Sequence, residues 1–430
     1  MDRRLTLKIK RRSQLGWLCC LIIVLPFLFG TLNDLMGLPW GIRYVIDVVW
    51  LILLLMMATY RYRLPWRNTR LLLVWVVLFL LYTALGYLPQ YQSGLYYLWG
   101  VRNNFRFYIA FLGFCTFVSE SEIDGFLRLF DKLFWVNVLV SLIQFFAFDI
   151  ERDYLGGIFG VEGGTNGYTN IFFCIVLTKS IIFYLSKKEK LSACVWKFVA
   201  AMVVAAMAEL KFFFVEAALI IVLAVLLTDF SWRKVVVFVG GTIGILAGVA
   251  LLVVIFPGFA GFFTWEWLWE HAISDSGYTS SGDMNRLNAI AVSNEHFLKN
   301  GWMQLFGLGM GNCETSGFAF LNTPFFERFG DLHYTWLSYA MMYLECGWIG
   351  LIFYFGFFVL VYFKIRRIEQ NCIPTVKAYC RIARIMAVLC VVISVYNASL
   401  RTEAGYMAYF VLAVPFAAAK TGSENHSCKQ

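Results

Sequence analysis

Six residues of this chain carry a charge where none is expected. Arg102, Arg106, Lys211, Glu216, Arg401 and Glu403 lie inside or at the ends of long apolar runs. Charge in such surroundings is costly and by default points to a function or a paired partner. Arg286 and His333 stand in the mixed segment between two such runs. A guanidinium is a fixed cation with a planar fork of donors suited to phosphate oxygens. Neutral imidazole is a good proton acceptor near physiological pH, and His333 is one of only four histidines. Plainer readings stand beside these. Arg286 could pair with Asp283, His333 could be an interfacial hydrogen-bonding residue, and "AELKFFFVEAAL" puts Glu209 and Lys211 on one short turn as a local ion pair. Lys179 and Lys197 can snorkel toward a basic face and receive no role.

Two stretches of text flank these residues. "LFGLGMGN" has glycines at 307, 309 and 311, which allow tight turns and close approach. It has no strand-to-helix setting and no trailing Lys-Ser/Thr, so we read a flexible turn between two loop helices and no nucleotide site. "GDLHYTWLSYAMMYLECGWIG" opens with Asp331 and His333 and becomes apolar. The run from Tyr334 to about Lys364 exceeds one span, and Gly347 is expected to divide it into a leading helix and the span proper.

The elements that position these groups follow from composition. The chain is 60% hydrophobic, 18% aromatic and only 15% charged, where a soluble protein would carry about a quarter charged residues. We read an all-α polytopic membrane protein of about twelve transmembrane helices. They lie near residues 16–32, 42–60, 69–88, 104–118, 130–148, 168–186, 193–208, 211–228, 234–256, 335–364, 381–397 and 404–419. The net charge of +9 comes from Lys and Arg in short connections, which set orientation and do not indicate nucleic acid. The basic start "MDRRLTLKIKRR" and the even span number put both termini in the cytoplasm. The eleven cysteines show no CxxC pair and no Cys/His ligand spacing, so a disulfide framework or zinc site is not expected.

The organisation is therefore three-part: residues 1–256 with nine spans, an outer segment 257–333, and residues 334–430 with three spans and a short tail. The outer segment holds three basic and eight acidic residues, unlike the basic connections on the other face. It should be partly helical, with "RLNAIAVSNEHFL" showing helical spacing and "FFTWEWLWEHAI" suited to the membrane interface.

In this order the pieces resemble the O-antigen ligase and polysaccharide polymerase superfamily of bacterial membrane proteins. Those proteins have one large outer loop before the last spans. It carries an Arg with helical residues, "GxGxG"-like text, and a His opening a segment that ends "ExGxxG". Here these are Arg286 in "RLNAI", "FGLGMG", and His333 leading to "LECGWIG" with Glu345, Gly347 and Gly350. Lys211 takes the place of a basic residue at the turn before the loop, and Tyr334 follows the histidine where ligases usually have Asn. Both features lie nearer the polymerases.

The resemblance implies a membrane glycosyltransferase of GT-C-like architecture in the bacterial cytoplasmic membrane, with its centre on the outer side. It would move a growing glycan from undecaprenyl pyrophosphate to a sugar hydroxyl of a new lipid-linked unit, in O-antigen, capsule or exopolysaccharide synthesis. His333 would take the hydroxyl proton, with Asp331 as orienter or replacement. Arg286 and Lys211, helped by Arg102, Arg106 and Arg401, would meet the pyrophosphate, with no metal or other cofactor required. Trp265, Trp267 and Glu345 would face the glycan. Partners would be lipid-linked oligosaccharides, membrane lipids, a chain-length regulator and a flippase, with no nucleic acid. The rival readings are a ligase passing finished glycan to another acceptor, and a lipid-linked oligosaccharide flippase or other transporter.

Overall fold

Apolar runs with no internal polar partner for their backbone can cross a bilayer only as helices, because each amide must be satisfied within its own segment. The computed structural model follows that rule. It describes residues 3–59, 66–88, 93–261, 264, 266, 277–279 and 282–427, and within these the fold is helical with one isolated antiparallel bridge between Tyr278 and Met284. The long helices are α1 (Arg3–Met36), α2 (Val45–Thr59), α3 (Trp66–Tyr87), α4 (Gly94–Phe117), α5 (Glu120–Phe148), α6 (Asn166–Leu185), α7 (Leu191–Met207), α8 (Lys211–Leu227) and α9 (Trp232–Ile255). Three short ones follow: α10 (Ala289–His296), α11 (Gly301–Phe306) and α12 (Pro324–Phe329). The chain ends with α13 (Ser338–Gln370), α14 (Pro374–Tyr396) and α15 (Gly405–Ser427).

Among the described residues seven helices are long and apolar enough to cross a membrane, and α7 and α15 contribute shorter apolar stretches. On α9, Val235, Val236, Phe238, Val239, Ile243, Leu246 and Val254 are exposed. An apolar surface of that extent is unfavourable in water and suited to lipid. The chain is a multi-pass helical membrane protein. α6 is the most enclosed of the spans, while α14 packs between α13 and α15, and α4 lies against α15.

Gly347 interrupts α13 with a non-helical backbone (φ 60°, ψ −161°). The break frees carbonyls that an unbroken helix would use, and buried carbonyls need other partners. They find them in the glycine-rich loop and on α3: Leu308 N–H donates to Leu344 O at 2.8 Å, Gly309 N–H to Glu345 O at 2.9 Å, and Tyr82 Oη to Cys346 O at 2.6 Å. A Cβ at Gly347 would sit 2.4 Å from the Leu305 backbone, and one at Gly311 only 1.9 Å from Tyr96 O. The loop expected to be a flexible turn is thus pinned on both sides, to α13 and to α4.

Candidate functional site

Three groups of the candidate residues meet at the end of the bundle where α6 begins and α14 finishes. The largest surrounds a cavity of about 510 Å³ lined by Arg43, Arg102, Arg106 and Arg401, with Tyr44, Trp99 and Tyr168 on its walls. Its arginines come from four places: the turn before α2, two positions on α4 one helical turn apart, and the turn between α14 and α15. Spacing of four residues puts Arg102 and Arg106 on one face of α4.

Each guanidinium has an acidic partner. Arg102 meets Asp47 through Nη2 and through Nε at 3.0 Å, and donates to Asn103 Oδ1 at 2.7 Å. Arg106 is 2% exposed. It reaches Glu403 Oε1 at 3.1 Å, donates to Arg401 O at 2.8 Å, and lies 3.8 Å from Asp47 Oδ1. Arg401 pairs with Glu314, and Arg43 lies 3.9 Å from Glu162. Burial alone would raise the Glu403 carboxyl. The Arg106 charge, a hydrogen bond from Tyr168 Oη (2.5 Å) and the Arg43 charge together hold it down to about 2.

Four guanidiniums against four carboxylates leave the cavity close to neutral. What an anion can meet there is the 13–16% of the Arg43, Arg102 and Arg401 side chains left exposed. A guanidinium has five N–H groups, and Nε of Arg106 and Nε of Arg401 are buried without a hydrogen-bond partner among the described residues. Aromatic faces brace the charges, with Arg102 4.8 Å above Trp99 and 5.2 Å from Tyr44. Tyr44 in turn stacks on Phe318, within residues 257–333, at 5.1 Å.

The second group is centred on Arg286, whose guanidinium lies 4.5 Å over the ring of Tyr396. Tyr396 stacks on Phe212 at 3.9 Å, next to Lys211 at the start of α8. The stack of Arg286 on Tyr396 and Tyr396 on Phe212 brings Arg286 to the neighbour of Lys211. Lys211 forms the local pair with Glu209 at 2.7 Å. Arg286 does not pair with Asp283.

Asp283 belongs to the third group. Its Oδ1 lies 2.6 Å from His333 Nδ1, and the imidazole stacks on Trp336 at 3.9 Å. An ionised carboxylate can only accept, so Nδ1 carries the proton in this contact and Nε2 is left as an acceptor when the ring is neutral. His333 has left-handed backbone (φ 52°), uncommon for a non-glycine residue, and its side chain is 40% exposed. The carboxylate that orients His333 is therefore Asp283. Asp331, two residues before it, is exposed and faces another hollow.

Two short segments tie the groups together. Ser338 bonds Asn397 O through both N–H and Oγ, zipping residues 333–339 to 396–403. On the first segment Thr335 lines the arginine cavity and Tyr339 Oη donates to Arg286 O. On the second, Tyr396 lies under Arg286 while Arg401 and Glu403 line the cavity.

Other candidates fall elsewhere. Glu345 is 1% exposed and accepts from Cys313 N–H at 3.1 Å, so it holds the glycine-rich loop and borders neither hollow. Trp265 and Trp267 lie outside the described residues. Lys179 and Lys197 do not snorkel: both turn onto Asp131, and Lys197 also reaches Glu189 at 2.8 Å. Among the described residues no group of three or more His, Cys, Asp or Glu side chains is placed to hold a metal ion. Sequence reasoning missed Arg43, Asp47 and Asp283 as members of the site. The first two were within reach, since both belong to the start of an apolar run and charge there calls for a reason. No protein-family model matches the chain, and no curated protein is similar to it.

Proposed function

We propose that this chain is a polysaccharide polymerase that joins lipid-linked repeat units on the outer side of the bacterial cytoplasmic membrane. The observation that carries this reading is the convergence of Arg43, Arg102, Arg106 and Arg401 on one cavity whose wall includes Thr335, two residues from His333. The twelve helices of 15 residues or more among the described residues support a twelve-span, GT-C-like arrangement with both termini cytoplasmic. On this reading residues 257–333 lie outside, beside the arginines.

The reaction divides between the groups. His333 Nε2 accepts the proton of the acceptor sugar hydroxyl while Asp283 holds the ring by Nδ1. The hydroxyl oxygen forms the new glycosidic bond to the donor's anomeric carbon as its bond to pyrophosphate breaks. The electron pair leaves on undecaprenyl pyrophosphate, whose growing charge meets guanidinium donors already fixed by Asp47, Glu314 and Glu403. Arg286 and Lys211 offer a second cationic patch for lipid-linked pyrophosphate.

The test is reconstitution of the purified protein in vesicles with a lipid-linked repeat unit, beside His333→Ala and Arg102→Gln. Wild type is expected to give a glycan ladder, and His333→Ala to turn over about 10²- to 10⁴-fold more slowly. Donor consumption only after addition of a different acceptor would mean a ligase. Movement of lipid across the vesicle with no new bond would mean a transporter.

A further inference from the structure

We infer that the outer segment contains a saccharide subsite separate from the arginine cavity, formed by Tyr278, His296, Phe297, Arg328, Phe329 and Asp331. These residues surround a hollow of about 400 Å³, inside the 300–1,000 Å³ typical of small-ligand sites. That the sugar held there belongs to the acceptor rests on the polymerase reading above.

The lining selects the ligand class. A pyranose has an apolar C–H face and a rim of hydroxyls, and this hollow offers the complement of both. Tyr278 and His296 rings lie 6.2 Å apart, and Phe297 meets Phe329 edge-on at 4.8 Å, giving an aromatic wall. Arg328 and Asp331 are exposed, and neither has an ion-pair partner among the described residues. A guanidinium supplies only donors and a carboxylate only acceptors, while a sugar hydroxyl needs both. A phosphate would be repelled by Asp331, and an acyl chain would strip water from two charges.

The hollow is also built into the frame of the proposed base. Tyr278 bridges to Met284, and the turn between them carries Asp283, the partner of His333. Met284 N–H donates to Leu332 O at 3.0 Å, which fixes this turn to the stretch Asp331–Leu332–His333. Only Leu332 stands between Asp331 and His333, so their Cα atoms are at most about 7.6 Å apart. A sugar bound at Asp331 therefore lies beside the backbone that carries His333.

The test uses the full chain in lipid nanodiscs and no turnover. Methyl glycosides of glucose, galactose, rhamnose and N-acetylglucosamine are offered singly, and saturation transfer from protein to sugar protons is read by NMR. At least one glycoside should show transfer to its C–H face. Arg328→Gln with Asp331→Asn should weaken it about tenfold, the loss of about one charge-assisted hydrogen bond. Because both side chains are exposed, folding should be kept, and unchanged thermal unfolding checks this. No transfer from any glycoside, or transfer indifferent to the double substitution, overturns the subsite. Glycoside binding without glycan ladders would leave the subsite standing and sink the polymerase reading. Ladders with substitution-indifferent binding would do the reverse.

Discussion

Helix α6 touches two charge networks built from similar parts, and they behave differently. Near one end, Tyr168 borders the cavity where Arg43, Arg102, Arg106 and Arg401 meet Glu162, Asp47, Glu403 and Glu314. Eleven residues on, about 16 Å along the helix, Lys179 joins Lys197, Asp131 and Glu189. Both networks are charge-balanced. The lysine network is closed, with Asp131 shared by both ammoniums, Ser180 donating to Glu189, and lysine side chains only 4% and 7% exposed. Three of the four arginines keep 13–16% of their side-chain surface exposed, and Nε of Arg106 and Arg401 has no hydrogen-bond partner among the described residues. An ammonium is a point charge that a carboxylate can satisfy, whereas a guanidinium can be paired and still bind. The first network should therefore hold helices together, and the second should hold a ligand as well.

The largest effect that would break this comparison is expected at Asp131. Asp131→Ala leaves two buried lysines with one carboxylate between them, a change that costs about 3–5 kcal/mol. Chemical unfolding in detergent should show that loss. Pyrophosphate affinity of the folded fraction, measured by calorimetry, should stay at the wild-type value. If affinity falls together with stability, the lysine network also serves the ligand.

The next effect is at Arg102. Arg102→Gln removes hydrogen bonds from a charged group, worth about 1.5–3 kcal/mol, so inorganic pyrophosphate should bind about ten- to a hundredfold more weakly. Arg102→Lys keeps the charge but loses the fork and the stacking between Tyr44 and Trp99. It should rescue less than half of the lost binding free energy. Full rescue by lysine would mean that charge alone matters and would erase the distinction between the networks.

These groups were unevenly legible in the sequence. Apolar length gave the helices, because a bilayer leaves backbone amides no other solution. The break at Gly347 was legible too, since a run beyond one span needs an interruption. The role of Glu345 was not, because it depends on carbonyls that the break frees and the glycine loop then covers. Asp331 was the nearest acid to His333 in sequence, yet Asp283 takes its ring, fifty residues away, through the Tyr278–Met284 bridge. The snorkelling expected of Lys179 and Lys197 failed for a related reason. Asp131 and Glu189 arrive from neighbouring elements, and an isolated helix cannot announce them.

A smaller effect concerns pH. The Glu403 carboxyl is held down to about 2, against an ordinary value near 4.5. A depressed acid contributes stability that is present in full above the unfolded value and is lost as pH falls through the folded one. The melting temperature of wild type should therefore exceed that of Glu403→Gln by a constant margin from pH 8 to about pH 5.5. The margin should narrow below that. A margin that instead widens on acidification would mean that Glu403 is protonated in the folded protein and that Arg106 is paired elsewhere.

The smallest effect on stability, and the sharpest separation, is expected at Arg43. Its polar contacts among the described residues include 3.9 Å to Glu162 and 3.4 Å to Tyr168 Oη. Pairs of that length contribute about 0–1 kcal/mol, so Arg43→Gln should leave unfolding within about 1 kcal/mol of wild type. Its guanidinium nevertheless lines the same cavity as Arg102. Pyrophosphate binding should weaken severalfold, with a shallower dependence on salt because one cation fewer meets the ligand. Arg43→Gln would then be the mirror of Asp131→Ala, altering binding without stability where the other alters stability without binding. Should Arg43→Gln instead unfold the protein with affinity intact, the arginines would be a scaffold like the lysines, and the ligand would have to be sought beside Arg286 and Lys211.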